Sequence, residues 1–387
     1  MRGRKGVFDQ LKEGLDPNKK TIWFHCASLG EFEQGVPIME ALKREMPDYQ
    51  LLVTFFSPSG YIIKKNAPLP DTVVYLPLDT KANAKRFVQL VKPAIAIFVK
   101  YEFWPNYLFE LDKRNIPAIL VSGLFRKDQA FFKWHGGLLR KAMGTMEHYF
   151  VQDQHSGRLL GELGQKNITV SGDTRFDRVS HQIEQDNSLD FADEFVSGKL
   201  CLIGGSTWPE DMAVLLPFLN ESKDLKVILA PHTMDKDKID TMASALDKKV
   251  IRYSERGGKD LSAYDVLIVD TIGLLSRLYS YGDIAYVGGG MGTSGLHNIL
   301  EAATFGIPIV IGKNYHKFPE AVKLEDIAGL YSVNNAEECS QILIKLTNDK
   351  QFREKTGMIC GHYVNSNTGA TETIMAYLRQ LHTDGLV

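Results

Sequence analysis

Two glutamates follow apolar runs in the first half of the chain, at positions where buried strands are predicted to end. Glu31 comes shortly after the run 21–28, and Glu102 shortly after the run 94–100. A carboxylate in the first turn of a helix is held ionised by the helix dipole and can accept a proton from a hydroxyl. We therefore predict that Glu31 is a general base, with the alternative that it only stabilises its helix. The aromatic neighbours of Glu102 either raise its pKa or simply pack.

A glycine-rich segment, GGGMGTSGLHNILEAATFGIP (288–308), joins two predicted strands of the second half. Glycines allow a sharp turn and a close approach to a ligand, and the helix predicted to follow would offer its amides to an anion. We predict a phosphate here, with Glu301 accepting hydroxyls of a ribose; the alternative is a loop shaped only for packing. The pattern is neither GxGxxG nor a P-loop. The expected contacts are Gly289, Gly290, His297, Asn298 and Glu301.

Three further predicted strands of the second half end in residues suited to the same ligand. The segment 204–210, GGSTWPE, matches a capping box running from Thr207 to Glu210, which would place two hydroxyls at a helix N-terminus opposite the glycine loop. Capping alone also explains this pattern. The candidate binding residues at these strand ends are Gly205, Ser206, Thr207, Pro231, His232 and Asp270.

The segment 124–150 interleaves basic and aromatic residues, and residues 55–65 have a similar character. Such a mixture suits a membrane surface or an acidic amphiphile. The alternative is a surface helix whose lysine stems cover the core. The cations predicted to contact an acidic ligand are Arg126, Lys133, Arg140 and Arg175.

All these residues lie in an alternation of short apolar runs and amphipathic stretches. The alternation predicts an α/β protein with two doubly wound, Rossmann-like domains of parallel strands facing a central cleft. We place an acceptor-binding domain at 1–180, a linker at 181–198 and a donor-binding domain at 199–355. The last segment, 356–387, is predicted to form helices that cross back to the first domain.

Composition narrows the class of protein. Among 387 residues, 45 Lys and Arg stand against 47 Asp and Glu, a net charge of −2, which disfavours a nucleic-acid partner. The four cysteines lack the spacing of a zinc site or a disulfide framework, and a reducing cytoplasm fits them. No apolar run reaches about 18 residues, and the start of the chain lacks a signal-peptide core. We expect that a hydrophobic anchor precedes this start.

The chain resembles the 3-deoxy-D-manno-oct-2-ulosonic acid (Kdo) transferases, the WaaA family of lipopolysaccharide synthesis. The resemblance lies in the order of five segments: WFHCASLGE, KYEFWPN, SGDTRFD, GGSTWPE and GGGMGTSGLHNILE. The resemblance extends from about residue 21 to about residue 330. It implies a GT-B fold, CMP-Kdo as donor, the lipid A precursor lipid IVA as acceptor, inverting transfer, and neither metal nor cofactor. In this family Glu31 corresponds to the general base and Glu102 to a second essential carboxylate.

The resemblance also assigns a donor site and a location. Where the family has Pro-Arg-His, this chain has Pro231-His232-Thr233, and Arg175 with Asp177 stands in place of a Lys-Phe-Asp-like pattern. The implied location is the cytoplasmic face of the bacterial inner membrane, with the enzyme either peripheral or anchored. The first alternative is another GT-B nucleotide-sugar enzyme, either an epimerase or a different glycosyltransferase. The second alternative is a non-catalytic protein that binds a lipid or a nucleotide sugar. The residues implied to hold CMP are Ser206, Thr207, Pro231, Gly289, Gly290, His297, Asn298 and Glu301.

Overall fold

The computed structural model describes residues 4–385. They divide into two compact units, one containing the residues up to Arg178 together with those from Asn367 onward, the other Val179–Ser366. Within the described residues, each unit contains a seven-stranded sheet. The paired strands run parallel in both sheets, so the carboxyl ends of the strands share one edge of each sheet.

The first sheet has the strand order β3-β2-β1-β4-β5-β6-β7. Its strands are β1 Lys20–Cys26, β2 Tyr49–Phe55, β3 Thr72–Tyr75, β4 Pro93–Val99, β5 Ala118–Gly123, β6 His148–Val151 and β7 Ile168–Val170. The helices are α1 Val7–Gly14, α2 Leu29–Glu45, α3 Pro58–Lys64, α4 Lys81–Val91, α5 Pro105–Asp112, α6 Gly137–Met143, α7 Gln154–Glu162 and α8 Thr174–Glu184, of which α8 continues into the second unit.

Helices cover both faces of the first sheet, which is why its strands are continuous apolar runs. On one face Trp23 packs against Phe87 and Phe98, with ring centroids 4.8 and 5.3 Å apart. On the other face lie α2 and the last helix, α17 (Ala370–Thr383), which buries Leu378 in the same core cluster as Ile38 of α2.

Helix α17 is held to the first unit by a carboxylate. Asp177 accepts hydrogen bonds from the backbone N–H groups of Gly369 and Thr371, each 2.6 Å long, and from the Thr371 hydroxyl. These are N–H groups at the start of the helix, which have no partner inside it. Asp177, singled out by the family pattern, therefore has a structural explanation as a helix cap.

The second sheet has the strand order β10-β11-β9-β8-β12-β13-β14. Its strands are β8 Leu200–Thr207, β9 Leu225–Pro231, β10 Val250–Arg252, β11 Val266–Ile268, β12 Ile284–Val287, β13 Ile309–Gly312 and β14 Leu330–Val333. The helices are α9 Asp190–Val196, α10 Pro209–Glu221, α11 Lys236–Ser244, α12 Leu275–Leu278, α13 Leu300–Ala303, α14 Pro319–Asp326, α15 Ala336–Asn348 and α16 Lys350–Ser366.

The segment predicted as a linker, 181–198, contains the end of α8 and all of α9. Helix α17 packs within the first unit, whereas residues up to Ser366 belong to the second. Within residues 4–385, no helix is both long and apolar enough to cross a membrane.

Candidate functional site

Glu31 lies at the N-terminus of α2, inside a capping box. Ser28 is the N-cap, and its backbone N–H donates to Glu31 Oε2 over 3.1 Å. The glutamate is only 6% exposed. Burial raises its pKa, and this outweighs the opposing effects of Lys100 and of the hydrogen bonds from Ser28 and Ala27. The raised pKa makes this carboxylate a stronger base than an ordinary glutamate.

Glu102 and Lys100 share the electrostatic environment of Glu31. Burial, followed by the charge of Glu31, raises the pKa of Glu102 to about 7, against the opposing effects of Trp104 and Lys100. Lys100 follows β4 directly and has a φ of 69°, a conformation that side chains with a Cβ rarely adopt. Two carboxylates and one ammonium thus form a cluster at the carboxyl edge of the sheet, with strain of the kind found at functional sites.

A buried chain of hydrogen bonds fixes the tryptophan beside Glu102. The Trp104 indole N–H donates to His25 Nε2 over 2.8 Å, so the proton of this ring is on Nδ1, which donates to Thr54 Oγ1 over 2.9 Å. Trp23 also donates to Thr54 Oγ1, which in turn donates to the Phe24 carbonyl. Burial lowers the pKa of His25 to about 3, so the ring stays neutral.

The basic and aromatic segments flank this cluster. Helix α3 follows β2 and the segment 124–143 follows β5, while β1 and β4, which lead to the two glutamates, lie between those strands. Large apolar side chains are exposed on both flanks. They are Ile62 (66%), Ile63 (61%), Leu138 (63%) and Trp134 (92%).

The predicted cations of the first unit have different surroundings. Lys133 is exposed. Arg126 lies 3.5 Å from Asp128. Arg140 donates to the backbone carbonyls of Phe131 and Lys133 over 2.9 and 2.7 Å, so this guanidinium fixes its own loop.

Arg175 is held by a buried carboxylate. Its Nε donates to Asp173 Oδ2 over 2.8 Å, and Gln34 Nε2 donates to the other oxygen of Asp173 over 3.1 Å. Although burial works to raise the pKa of Asp173, Arg175 and Gln34 hold it below its ordinary value. Because Gln34 is one turn beyond Glu31 on α2, this bond connects the Arg175 segment to the helix that carries the candidate base.

In the second unit, Asp211 connects the segment after β8 to the glycine loop through hydrogen bonds. Its carboxylate is fully buried and accepts from the backbone N–H of Trp208 (2.9 Å), the backbone N–H of Gly289 (2.8 Å) and the Tyr286 hydroxyl (3.1 Å). The capping box predicted from Thr207 to Glu210 is wrong by one residue. Because β8 continues through Thr207, α10 begins at Pro209 with Trp208 as N-cap and Asp211 as the capping acid.

Three aromatic rings lie together beside this junction. Trp208 and His232 are stacked with centroids 4.2 Å apart, and His297 lies 4.6 Å from His232. The Trp208 indole N–H donates to His297 Nε2 over 3.3 Å. Burial and the neighbouring imidazole lower the pKa of His297 to about 4, while burial and Lys238 lower that of His232. Both imidazoles are therefore predominantly neutral at pH 7.

The glycine loop is shaped in part by packing. A Cβ on Gly288 would come within 2.3 Å of the Ser206 carbonyl oxygen, and one on Gly289, whose φ is 92°, within 2.1 Å of the Gly295 carbonyl oxygen. The helix expected after the loop is a single turn, Leu300–Ala303. A helix of one turn aligns few peptide dipoles, so its dipole contributes little to holding an anion.

The other predicted donor residues are distributed along the edge of the second sheet. Asn298 Nδ2 donates to Glu301 Oε1 over 3.2 Å. Thr207 Oγ1 is buried without a hydrogen-bond partner among the described residues. Asp270 follows β11 and accepts from the Ser254 N–H over 2.9 Å, so it holds a neighbouring turn. Two predicted contacts remain. At Gly205, an added Cβ would clash with the Tyr279 hydroxyl. Pro231, together with Thr207 and Trp208, lines a cavity of about 240 Å³.

Sequence reasoning missed several residues of these clusters: Lys100, His25, Trp104, Asp211 and Trp208. A histidine within a strand is typical of the core, and nothing in its sequence position marks His25 as the partner of Trp104. Within residues 4–385, no group of three or more His, Cys, Asp or Glu side chains is arranged to hold a metal ion.

The two parallel sheets define a class of enzyme fold. The structure matches UDP-GlcNAc 2-epimerase from Neisseria meningitidis with a TM-score of 0.65 and 14% identity, covering 94% of this chain and 100% of that one. It matches Acinetobacter baumannii MurG with a TM-score of 0.58 and 12% identity, covering 94% and 99%. At such identities the likeness shows the fold alone, which is GT-B.

The sequence comparisons identify the family within that class. The family model described as 3-deoxy-D-manno-octulosonic-acid transferase (kdotransferase) matches residues 2–178. The Aquifex aeolicus 3-deoxy-D-manno-octulosonic acid transferase is 30% identical over 364 residues, 91% of this chain and 94% of the relative. The Haemophilus influenzae enzyme is 27% identical, covering 94% and 87%. The chain belongs to the Kdo transferase family and is a glycosyltransferase.

Proposed function

We propose that this protein transfers Kdo from CMP-Kdo to lipid IVA with inversion, and that Glu31 is the general base. The acceptor hydroxyl oxygen attacks the anomeric carbon of Kdo, the bond from that carbon to the phosphate oxygen breaks, and CMP leaves. Glu31 takes the hydroxyl proton. The observation that carries this proposal is the buried carboxylate of Glu31, with its raised pKa, beside Lys100 and Glu102 at the edge of a sheet.

Glu102 complements this base because the two carboxylates are coupled. The charge of Glu31 contributes to raising the pKa of Glu102 to about 7, so part of the Glu102 population is protonated near neutral pH. In its protonated form, Glu102 can donate a hydrogen bond to a substrate oxygen. Trp104, whose indole N–H is donated to His25, lies beside Glu102.

The second unit is proposed to bind CMP. This proposal is supported by the buried, unpaired hydroxyl of Thr207 and by the aromatic rings of Trp208, His232 and His297, of which Trp208 and His232 are stacked. Because α13 is a single turn, the phosphate contacts are assigned to imidazole and backbone N–H groups of the loop rather than to a helix dipole. Glu301, oriented by Asn298, remains the candidate for the ribose hydroxyls.

The first unit is proposed to bind the acceptor at the cytoplasmic face of the inner membrane. The apolar side chains exposed on α3 and on the segment 124–143 are accompanied by Lys65 and Lys133, which suits an amphiphile with phosphate groups. The proposed boundaries, 1–180 and 199–355, assign the acceptor and the donor to different domains.

The test is direct transfer, with CMP-Kdo generated in situ and lipid IVA as acceptor, read as product mass. We expect a mass increase of one or more Kdo residues. UDP-GlcNAc without acceptor is run alongside to detect epimerisation. Folded protein that binds CMP but leaves the mass of lipid IVA unchanged, in detergent and in vesicles alike, would refute the assigned acceptor.

A further inference from the structure

The second unit contains a cavity whose lining includes none of the predicted donor-binding residues. It has a volume of about 360 Å³, and its walls are residues 292–295 of the glycine loop and residues 314–318, which follow β13. Asn314 fixes these walls to each other, because its backbone N–H donates to the Gly290 carbonyl over 2.8 Å and its Nδ2 to the Gly292 carbonyl over 2.9 Å. The cavity therefore lies beside Gly289 and His297, where the nucleotide is proposed to bind.

One end of this cavity carries a positive charge, from Lys317. Lys317 and His316 line it, and among the described residues no carboxylate does. Lys317 is exposed and forms no ion pair within residues 4–385, so its ammonium is available to a ligand. Glu210 lies next to Gly292: a Cβ added to Gly292 would be 3.5 Å from the carboxyl carbon of Glu210. An anion is therefore favoured at the Lys317 end of the cavity.

We propose that this cavity holds the carboxylate of the donor sugar, and that Lys317 makes the enzyme specific for an acidic sugar. The inference rests on the proposed function. The sugar named by the family is an octulosonic acid, which is ionised at neutral pH, whereas UDP-GlcNAc, bound by a protein of the same fold, has no carboxylate on its sugar. A cation beside the nucleotide distinguishes these two classes of donor.

The test compares three lysine variants in the full chain. Lys317→Met removes the charge, Lys317→Arg keeps it, and Lys313→Met removes a neighbouring exposed lysine that does not line the cavity. We expect Lys317→Met to raise the KM for CMP-Kdo about tenfold, the loss typical of one charge-assisted hydrogen bond. The Kd for CMP, measured by calorimetry, should change less than twofold. Lys317→Arg should stay within about threefold of the parent, and Lys313→Met should match the parent.

Other outcomes overturn the inference. If the parent transfers Kdo and Lys317→Met keeps its KM, the carboxylate is held elsewhere. If CMP binding weakens by the same factor as KM rises, Lys317 contacts the nucleotide. Equal losses in Lys317→Met and Lys317→Arg would assign the effect to shape rather than charge. A parent chain that transfers no Kdo would instead refute the proposed function.

Discussion

At the scale of single residues, burial and the charge of Glu31 raise the pKa of Glu102 in the first unit. The Glu102 carboxyl group is largely buried, and its pKa of about 7 lies above the ordinary value of 4.5. A carboxyl group that binds its proton more tightly in the folded state destabilises that state at high pH, where the proton must be lost. The site is therefore maintained at a cost in stability.

Glu102→Gln tests that cost. At pH 8 both the folded and the unfolded wild-type chain carry an ionised Glu102, whereas the glutamine is neutral, so the variant should be more stable by roughly 1–3 kcal/mol. Near pH 5 the folded wild type is already protonated here, and the difference should become much smaller. Denaturant unfolding at both pH values measures this, with Glu184→Gln as an exposed control. An equal gain at both pH values would contradict the raised pKa.

The residues around these carboxylates show what sequence can and cannot indicate. Glu31 and Glu102 were predicted because each follows a strand. His25 and Trp104 were not, since their importance lies in hydrogen bonds between β1 and the segment after β4. The raised pKa of Glu31 was not foreseen either, because the degree of burial of a helix N-terminus depends on tertiary packing.

At the scale of elements, the cap of α17 is the connection most open to a test. Asp177→Ala removes three hydrogen bonds from the start of this helix and should destabilise the first unit by about 1–3 kcal/mol. Hydrogen exchange of the α17 amides should accelerate more than that of α15, which lies in the other unit. Glu184→Ala, at an exposed position near the end of α8, is the matched control. Unchanged exchange in α17 would contradict the capping role.

Most strands could be predicted because buried parallel strands are continuous apolar runs. All seven strands of the second sheet, and six of the seven strands of the first, coincide with apolar runs in the sequence. The exception, β7, is a three-residue edge strand that is partly exposed and lacks an apolar run. The predicted start of α10 was wrong, because the extension of β8 through Thr207 is a local outcome that motif spacing does not encode.

At the scale of the whole molecule, the exposed apolar residues of the first unit predict association with a membrane surface. The double variant Ile62→Ser/Ile63→Ser should weaken binding to vesicles containing anionic lipid by about tenfold or more, because partial burial of each side chain contributes on the order of 1 kcal/mol. Ile272→Ser, at a residue 84% exposed in the second unit, is the control. Equal vesicle binding by the double variant and the control would contradict the assigned docking surface.

The most direct test of the central claim is transfer by Glu31→Gln, compared with the parent chain under identical donor and acceptor concentrations. The glutamine preserves size and polarity but cannot accept the proton. We expect CMP binding to persist and the product, measured by mass, to form at least about 10²-fold more slowly. If Glu31→Gln transferred Kdo at the rate of the parent chain, Glu31 would not be the general base.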